Sequence, residues 1–257
     1  MDILFPIECF GCGIEFEDLE PKERWICPDC LKKIAIRKLQ TCPACEEYSE
    51  GGKTHHRCKG KTAVDGVWVS AEYSSKVISE AIKKMKFNFI KDISFPLALV
   101  MARSVLEVDE FSDFHDILMS NLSKEREEGI YLEEDRNKNC ETLVVPVPLH
   151  KKRYKWRGFN QAFLLSEHVC ARFDLKLDDK LLERRKNTKS QSNIGSMDER
   201  KENMKDAFFC PDQCGISRKN IILIDDVCTT LTTMDECAKV LKKAGASHVW
   251  GFVAARR

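Results

Sequence analysis

Asn220-Ile221-Ile222-Leu223-Ile224-Asp225-Asp226-Val227-Cys228-Thr229-Thr230-Leu231-Thr232-Thr233 is the stretch that decides the fold. A short β-branched run of this kind reads as a strand buried on both faces, as in a parallel sheet. Two adjacent carboxylates end it, a run of hydroxyl residues follows, and Met234 to Lys243 has the spacing of a helix. The acidic pair therefore belongs at the carboxyl edge of a strand and the hydroxyls at a helix N-terminus. Open α/β sheets bind ligands at that edge. Helix N-termini there offer N–H groups and a positive dipole end to phosphate. Two carboxylates side by side are costly to bury, so they are expected to meet vicinal hydroxyls, Mg²⁺ or both.

The same stretch resembles the 5-phosphoribosyl-1-pyrophosphate (PRPP) motif of type I phosphoribosyltransferases, hydrophobics followed by Asp-Asp and Thr-Thr-Gly-x-Thr. The resemblance implies that Asp225 and Asp226 hold ribose hydroxyls. It also implies that the turn of Thr229, Thr230, Thr232 and Thr233 cradles the 5-phosphate. One position departs: Leu231 stands where the motif has Gly, a residue that admits positive φ and close backbone approach.

Working outward, the 257 residues suffice for one large or two small domains, and a net charge of +1 excludes a polycation. The start, Met1 to Pro6, lacks the basic and apolar regions of a signal peptide, and no apolar run is long enough to span a membrane. The expectation is a cytoplasmic protein whose thirteen cysteines are metal ligands or buried thiols, not disulfides.

Three C-x-x-C knuckles open the chain. Cys9, Cys12, Cys27 and Cys30 make a self-sufficient tetrahedral zinc set. Cys42 and Cys45 need two more ligands, and Cys58 with His55, or His56 as second choice, supplies them. One zinc with a free second pair, or a pairing across the knuckles, is left open by spacing alone. A segment this short has little apolar core, so residues 1–62 are expected to be a zinc ribbon held by structural metal. Residues 63–257 are then the α/β domain.

Within that domain, Val67 to Ser74 reads as a strand. Ser75 opens a helix with Val77, Ile78, Ile82, Met85 and Phe89 inward and Lys83, Lys84 and Lys86 on a solvated face. Phe95 to Val108 reads as another helix. Residues 107–141 hold twelve acidic against four basic side chains, the composition of a surface insertion outside the core. Thr142 to Pro148 is a buried strand stopped by proline, followed by a cation-dense loop, His150 to Arg157, and a helix from Gly158 or Asn160 to about Phe173. Between residues 143 and 205 fifteen Lys/Arg face eight Asp/Glu, which points to an anionic ligand, PRPP or single-stranded nucleic acid. Lys151, Arg153 and Arg157 are the candidates for a pyrophosphate. Arg184, Arg185, Lys189, Gln191 and Arg200 are candidates for a closing loop or a DNA contact.

Pro146-Val147-Pro148-Leu149-His150, Arg157-Gly158-Phe159-Asn160-Gln161, Arg185 through Thr188 to Gln191, Arg200-x-x-Asn203 and the N-terminal knuckles together resemble the ComF/GntX (ComFC) family. The resemblance covers nearly the whole chain apart from the acidic stretch. It implies a phosphoribosyltransferase-like α/β fold, a mostly parallel sheet with flanking helices behind a zinc ribbon. It further implies structural zinc, Mg²⁺ with PRPP, and a role on single-stranded DNA in natural transformation beside a ComFA-like helicase and a DprA-like protein. Two activities follow: a phosphoribosyltransferase acting on PRPP or a nucleotide, or a module that binds single strands or senses PRPP without turnover. No residue in the sequence marks an acceptor base.

Overall fold

The computed structural model describes residues 7–16, 24–108, 112–119, 141–188, 197–211 and 215–257. Five strands form one parallel sheet: β1 (Gly66–Glu72), β2 (Thr142–Pro146), β3 (Lys176–Leu177), β6 (Asn220–Cys228) and β7 (His248–Arg256), in the order β1-β7-β6-β2-β3. A two-stranded antiparallel ribbon, β4 (Glu183–Arg184) with β5 (Phe208–Phe209), stands apart from it. The helices are α1 (Pro28–Lys33), α2 (Lys76–Phe87), α3 (Ser94–Leu106), α4 (Asp113–Met119), α5 (Lys151–Arg157), α6 (Gln161–Phe173), α7 (Met197–Met204) and α8 (Thr232–Lys243).

Strand alternation builds two cores. Ile222 and Ile224 of β6 face one layer with Trp68, Phe252, Leu97 and Leu165, while Ile221 and Leu223 face the other with Val69, Val253, Ala238 and Leu241. Helices α2, α3, α4 and α6 cover the first face and α8 the second, so β6 is apolar on both sides, as its run of isoleucines requires. Each fully buried large side chain contributes roughly 1.5–3 kcal/mol of burial.

Topology locates the crevice. From β2 the chain crosses through α6 to β3, and from β6 it crosses through α8 to β7 in the opposite direction, on the opposite face. The order reverses between neighbours β2 and β6. Their carboxyl ends therefore diverge from the helices on either side and leave an opening, the switch point where α/β sheets take ligands.

Two readings of the sequence are corrected here. Residues 151–157 are a helix rather than a loop. The His150 Nδ1 accepts the Lys152 N–H at 3.2 Å, and Gly158 closes the last turn at φ 80° with its N–H on the Tyr154 carbonyl. The acidic stretch is not all surface. Within it α4 buries Phe114 and Leu118, and Phe114 stacks on Trp68 at 5.3 Å between the rings and meets Trp250 and Phe252. Residues four apart share one face of a helix, so this pair turns inward together while the charged residues of α4 stay on the other faces. Residues 109–111 and 120–140 of that stretch lie outside the described residues.

The cysteine-rich segment packs along β1. The buried Gln40 carboxamide donates to the Val69 carbonyl and accepts the Val69 N–H, both at 3.0 Å, and the Arg37 N–H donates to the Ser70 carbonyl. No described helix is long and apolar enough to cross a membrane.

Candidate functional site

At the switch point a cavity of about 820 Å³ opens between the carboxyl ends of β2 and β6, the start of α8 and the C-terminal end of α2. Seven cationic side chains line it against three acids, so its field favours an anion. Asp225 keeps a partly open face toward it, whereas Asp226 is 4% exposed. The Asp226 carboxylate is held by Lys86 Nζ at 2.7 Å, and its backbone N–H donates to Asp225 Oδ1 at 2.8 Å. Desolvation, then the neighbouring Asp226 charge, push the Asp225 carboxyl up to about 7, against the pull of Lys86.

Opposite the acids stand Arg153 and Arg157, one helical turn apart on α5, and Arg184 of β4. Burial lowers all three guanidinium pKa values, to about 10 for Arg184, where the Arg153 charge adds to the effect. Arg153 donates to the Thr188 carbonyl at 2.8 Å, and Arg184 reaches the Thr188 hydroxyl. Among the described residues the Nε atoms of Arg157 and Arg184 and the Nε2 of Gln161 are buried without a hydrogen-bond partner, and all three residues line the cavity. Gln161 is 2% exposed. Buried donors left unpaired are costly, and a bound anion would satisfy them. The Arg-Gly-Phe-Asn-Gln element thus acts as a unit. Gly158 ends α5, Phe159 enters the core, and Asn160 caps α6 while donating to the Val147 carbonyl at 3.0 Å. Gln161 and Arg157 face the cavity.

Thr229 and Thr233 line the wall, while Thr230 and Thr232 pair their hydroxyls at 3.2 Å off the lining. Leu231 sits at φ −63° and packs against the second core, outside the lining, so the turn needs no glycine here. Lys151 is exposed on α5 and off the cavity wall. Arg185 lies over the Phe209 ring and pairs with Glu183 at 3.8 Å, also away from the cavity. Lys189, Gln191 and the side chain of Arg200 lie outside the described residues. Lys86 is the residue the sequence reading missed, placed there on a solvated face. It continues the Ile78–Ile82 stripe by one more turn, which was the available signal.

Two further groups are arranged for metal. The ligand atoms of Cys9, Cys12, Cys27 and Cys30 all lie within 4.8 Å of one another, as do those of Cys42, Cys45, His55 and Cys58. Thiolates alone in each knuckle crowd one another. At Cys9 burial is outweighed by the N–H groups of Cys27, Cys12 and Gly11, giving about 7, while Cys30 is driven to about 12 by burial and by the other three sulfurs. A cation at the centre would relieve that conflict. A Cβ on Gly11 would fall 2.5 Å from the Cys30 sulfur, so a larger residue there would push a candidate ligand out of place. In the second group His55 Nδ1 is 3.3 Å from the Cys45 sulfur while Nε2 is 3.0 Å from the Tyr48 carbonyl, the outer hydrogen bond that orients a ligating imidazole. Both sets can hold a structural zinc.

Competence protein ComFC from Streptococcus pneumoniae is 35% identical over 245 residues, covering 95% of this chain and 85% of that protein. The chain belongs to the ComF/ComFC family. Within the family, the DNA utilization protein YhgH of Salmonella typhimurium is 27% identical over 225 residues, 87% of each chain. Competence protein F of Haemophilus influenzae is 35% identical over 115 residues, 44% of this chain, which spans half the length of that relative. No family model matches. Among solved structures, the glutamine phosphoribosylpyrophosphate amidotransferase from B. subtilis has a TM-score of 0.30 at 12% identity, covering 54% of this chain and 25% of that one. The allosteric regulatory enzyme of purine biosynthesis has a TM-score of 0.29 at 15% identity with the same coverage.

Proposed function

We propose that the switch-point cavity binds PRPP or a related phosphoribosyl nucleotide, and that the protein acts on single-stranded DNA in DNA uptake. The observation that carries the reading is the meeting of Asp225 and Asp226 with the unpaired donors of Arg157, Arg184 and Gln161 in one cavity. In this reading Asp225 accepts from ribose hydroxyls, and Thr229 and Thr233 beside the start of α8 hold the 5-phosphate. Arg153, Arg157 and Arg184 neutralise the pyrophosphate as charge grows on it. Mg²⁺ arriving with the pyrophosphate would add to that neutralisation, and carboxylate oxygens suit it as ligands. Catalysis would rest on positioning and electrostatics, with no nucleophilic side chain.

One observation favours a second reading, binding without turnover: Lys86 already occupies the Asp226 carboxylate. In this family role a ComFA-like helicase and a DprA-like protein are the proposed partners, and zinc in both clusters is the proposed structural metal.

Titration calorimetry with Mg²⁺ and PRPP tests the pocket. The double variant Asp225→Asn with Asp226→Asn is expected to lose at least about ten-fold in affinity, about 1.4 kcal/mol. Unchanged affinity would sink the assignment. Pyrophosphate release in the presence of a base or nucleotide then separates transferase from module. Native mass spectrometry is expected to find two zinc ions per chain, one lost in Cys12→Ser and the other in Cys45→Ser.

A further inference from the structure

The outer wall of the cavity is aromatic. Trp156 on α5 and Phe87, the last residue of α2, both line it, and they are 59% and 61% exposed. Side chains of that size are rarely left in water without a use, and here they come from two elements that the fold brings together. Phe89, read from the sequence as an inward residue of that helix, instead joins them from the turn after α2, 41% exposed. Its φ of 60° is an unfavourable conformation for a bulky residue. That turn lays the Phe89 ring against Trp156, 5.1 Å between centroids at 77°. A T-shaped contact covers at most one face of either ring, and Trp156, which lines the cavity, stays 59% exposed despite Phe89 and Arg157 against it, so part of its surface remains open. Lys83 and Lys84 line the same wall, and the Arg157 guanidinium lies 5.8 Å from the Trp156 ring.

Aromatic faces interleaved with cations suit a flat ring attached to a phosphate chain better than an apolar peptide. Bases stack on the former while the backbone follows the latter. Space allows it as well, since about 820 Å³ lies toward the upper end of small-molecule sites, roughly 300–1,000 Å³. We infer that Trp156, buttressed by Phe89 and flanked by Phe87, is a nucleobase-stacking subsite at the mouth of the phosphate cavity. The inference rests on the proposed reading of that cavity and supplies what it lacks, a place for the base. The base can come from a free nucleotide or from a single strand.

The test measures, by fluorescence anisotropy, binding of a labelled, 5′-phosphorylated oligothymidylate of about 12 nucleotides and of an abasic strand of equal length. Wild type is expected to prefer the base-bearing strand about ten-fold. In Trp156→Leu that preference should fall to less than about two-fold, and Trp156→Phe, which keeps a π-face, should retain most of it. No preference in wild type, or a full preference in Trp156→Leu, overturns the subsite. Thymidine monophosphate that displaces the strand assigns the subsite to free nucleotides; a preference that mononucleotide cannot compete away assigns it to strands. Separately, PRPP binding without any base preference overturns this inference alone. Base preference without PRPP binding overturns the proposed function of the cavity alone.

Discussion

The two ends of the parallel sheet carry similar charges and treat them in opposite ways. At the amino end Glu141 sits between Lys176 at 2.6 Å and Lys219 at 2.9 Å, and these side chains hold its carboxyl down at about 2. Asp65 there takes Lys242 and the Val249 N–H, each at 2.7 Å. At the carboxyl end Asp225 is driven up to about 7, and the Arg157 and Arg184 Nε atoms are buried without hydrogen-bond partners among the described residues. One end has resolved its charges internally. The other holds them unresolved, and unresolved charge beside a cavity marks ligand binding more clearly than charge itself does.

The comparison is most exposed to a change at Lys86, the cation that joins Asp226. Lys86→Met leaves an almost fully buried carboxylate uncompensated. Given the partial exposure of the lysine, it should cost about 2 kcal/mol in urea unfolding at pH 8. Adding Asp226→Asn should restore most of that loss. If Lys86→Met costs nothing, the carboxyl end is not under electrostatic strain.

Next in size is Asp225→Asn. The folded state holds the Asp225 proton up to about 7, above the ordinary 3.8, so wild-type stability falls as pH rises between those values. The variant should therefore melt higher than wild type at pH 8 and match it near pH 4, while losing ligand. On the proposed reading, PRPP affinity of the wild type should weaken as pH drops below about 7, because the ribose hydroxyls would donate to the ionised carboxylate. A variant less stable than wild type at pH 8 contradicts the picture.

The smallest effect belongs to the settled end. Glu141→Gln is expected to cost roughly 0.5–1 kcal/mol above pH 4.5, since its side chain is 41% exposed and surface pairs are weak. With its folded pKa below the ordinary 4.5, that stabilisation is lost as pH falls through about 2. Calorimetry should show PRPP binding untouched. Weaker binding in Glu141→Gln would mean the two ends are not independent.

The parts legible in the sequence are those written in consecutive residues. The isoleucine run with its Asp pair, the knuckles at Cys9, Cys27 and Cys42, and the Arg157–Gln161 element all declare themselves within a few positions. What escaped depends on distance. Lys86 acquires its meaning from a carboxylate 140 positions away, so the local pattern gave a solvated lysine. Phe114 and Leu118 were hidden because composition averaged over 107–141 erases a two-residue apolar pair. The helix at 151–157 had its cap and its terminating glycine in plain view, but a dense run of cations drew the reading toward a loop. No run of residues encodes strand order, so the reversal between β2 and β6 is visible only in the assembled sheet.

The Gln40 carboxamide copies, on one residue, the pairing a further strand would offer Val69, and so it blunts the outer rim of β1. Zinc bound in the two clusters would keep the Cys-rich segment in place and so protect the chain from self-association. On that proposal chelated protein should gain light scattering before the sheet itself melts, which would make zinc supply a question of solubility as much as of folding.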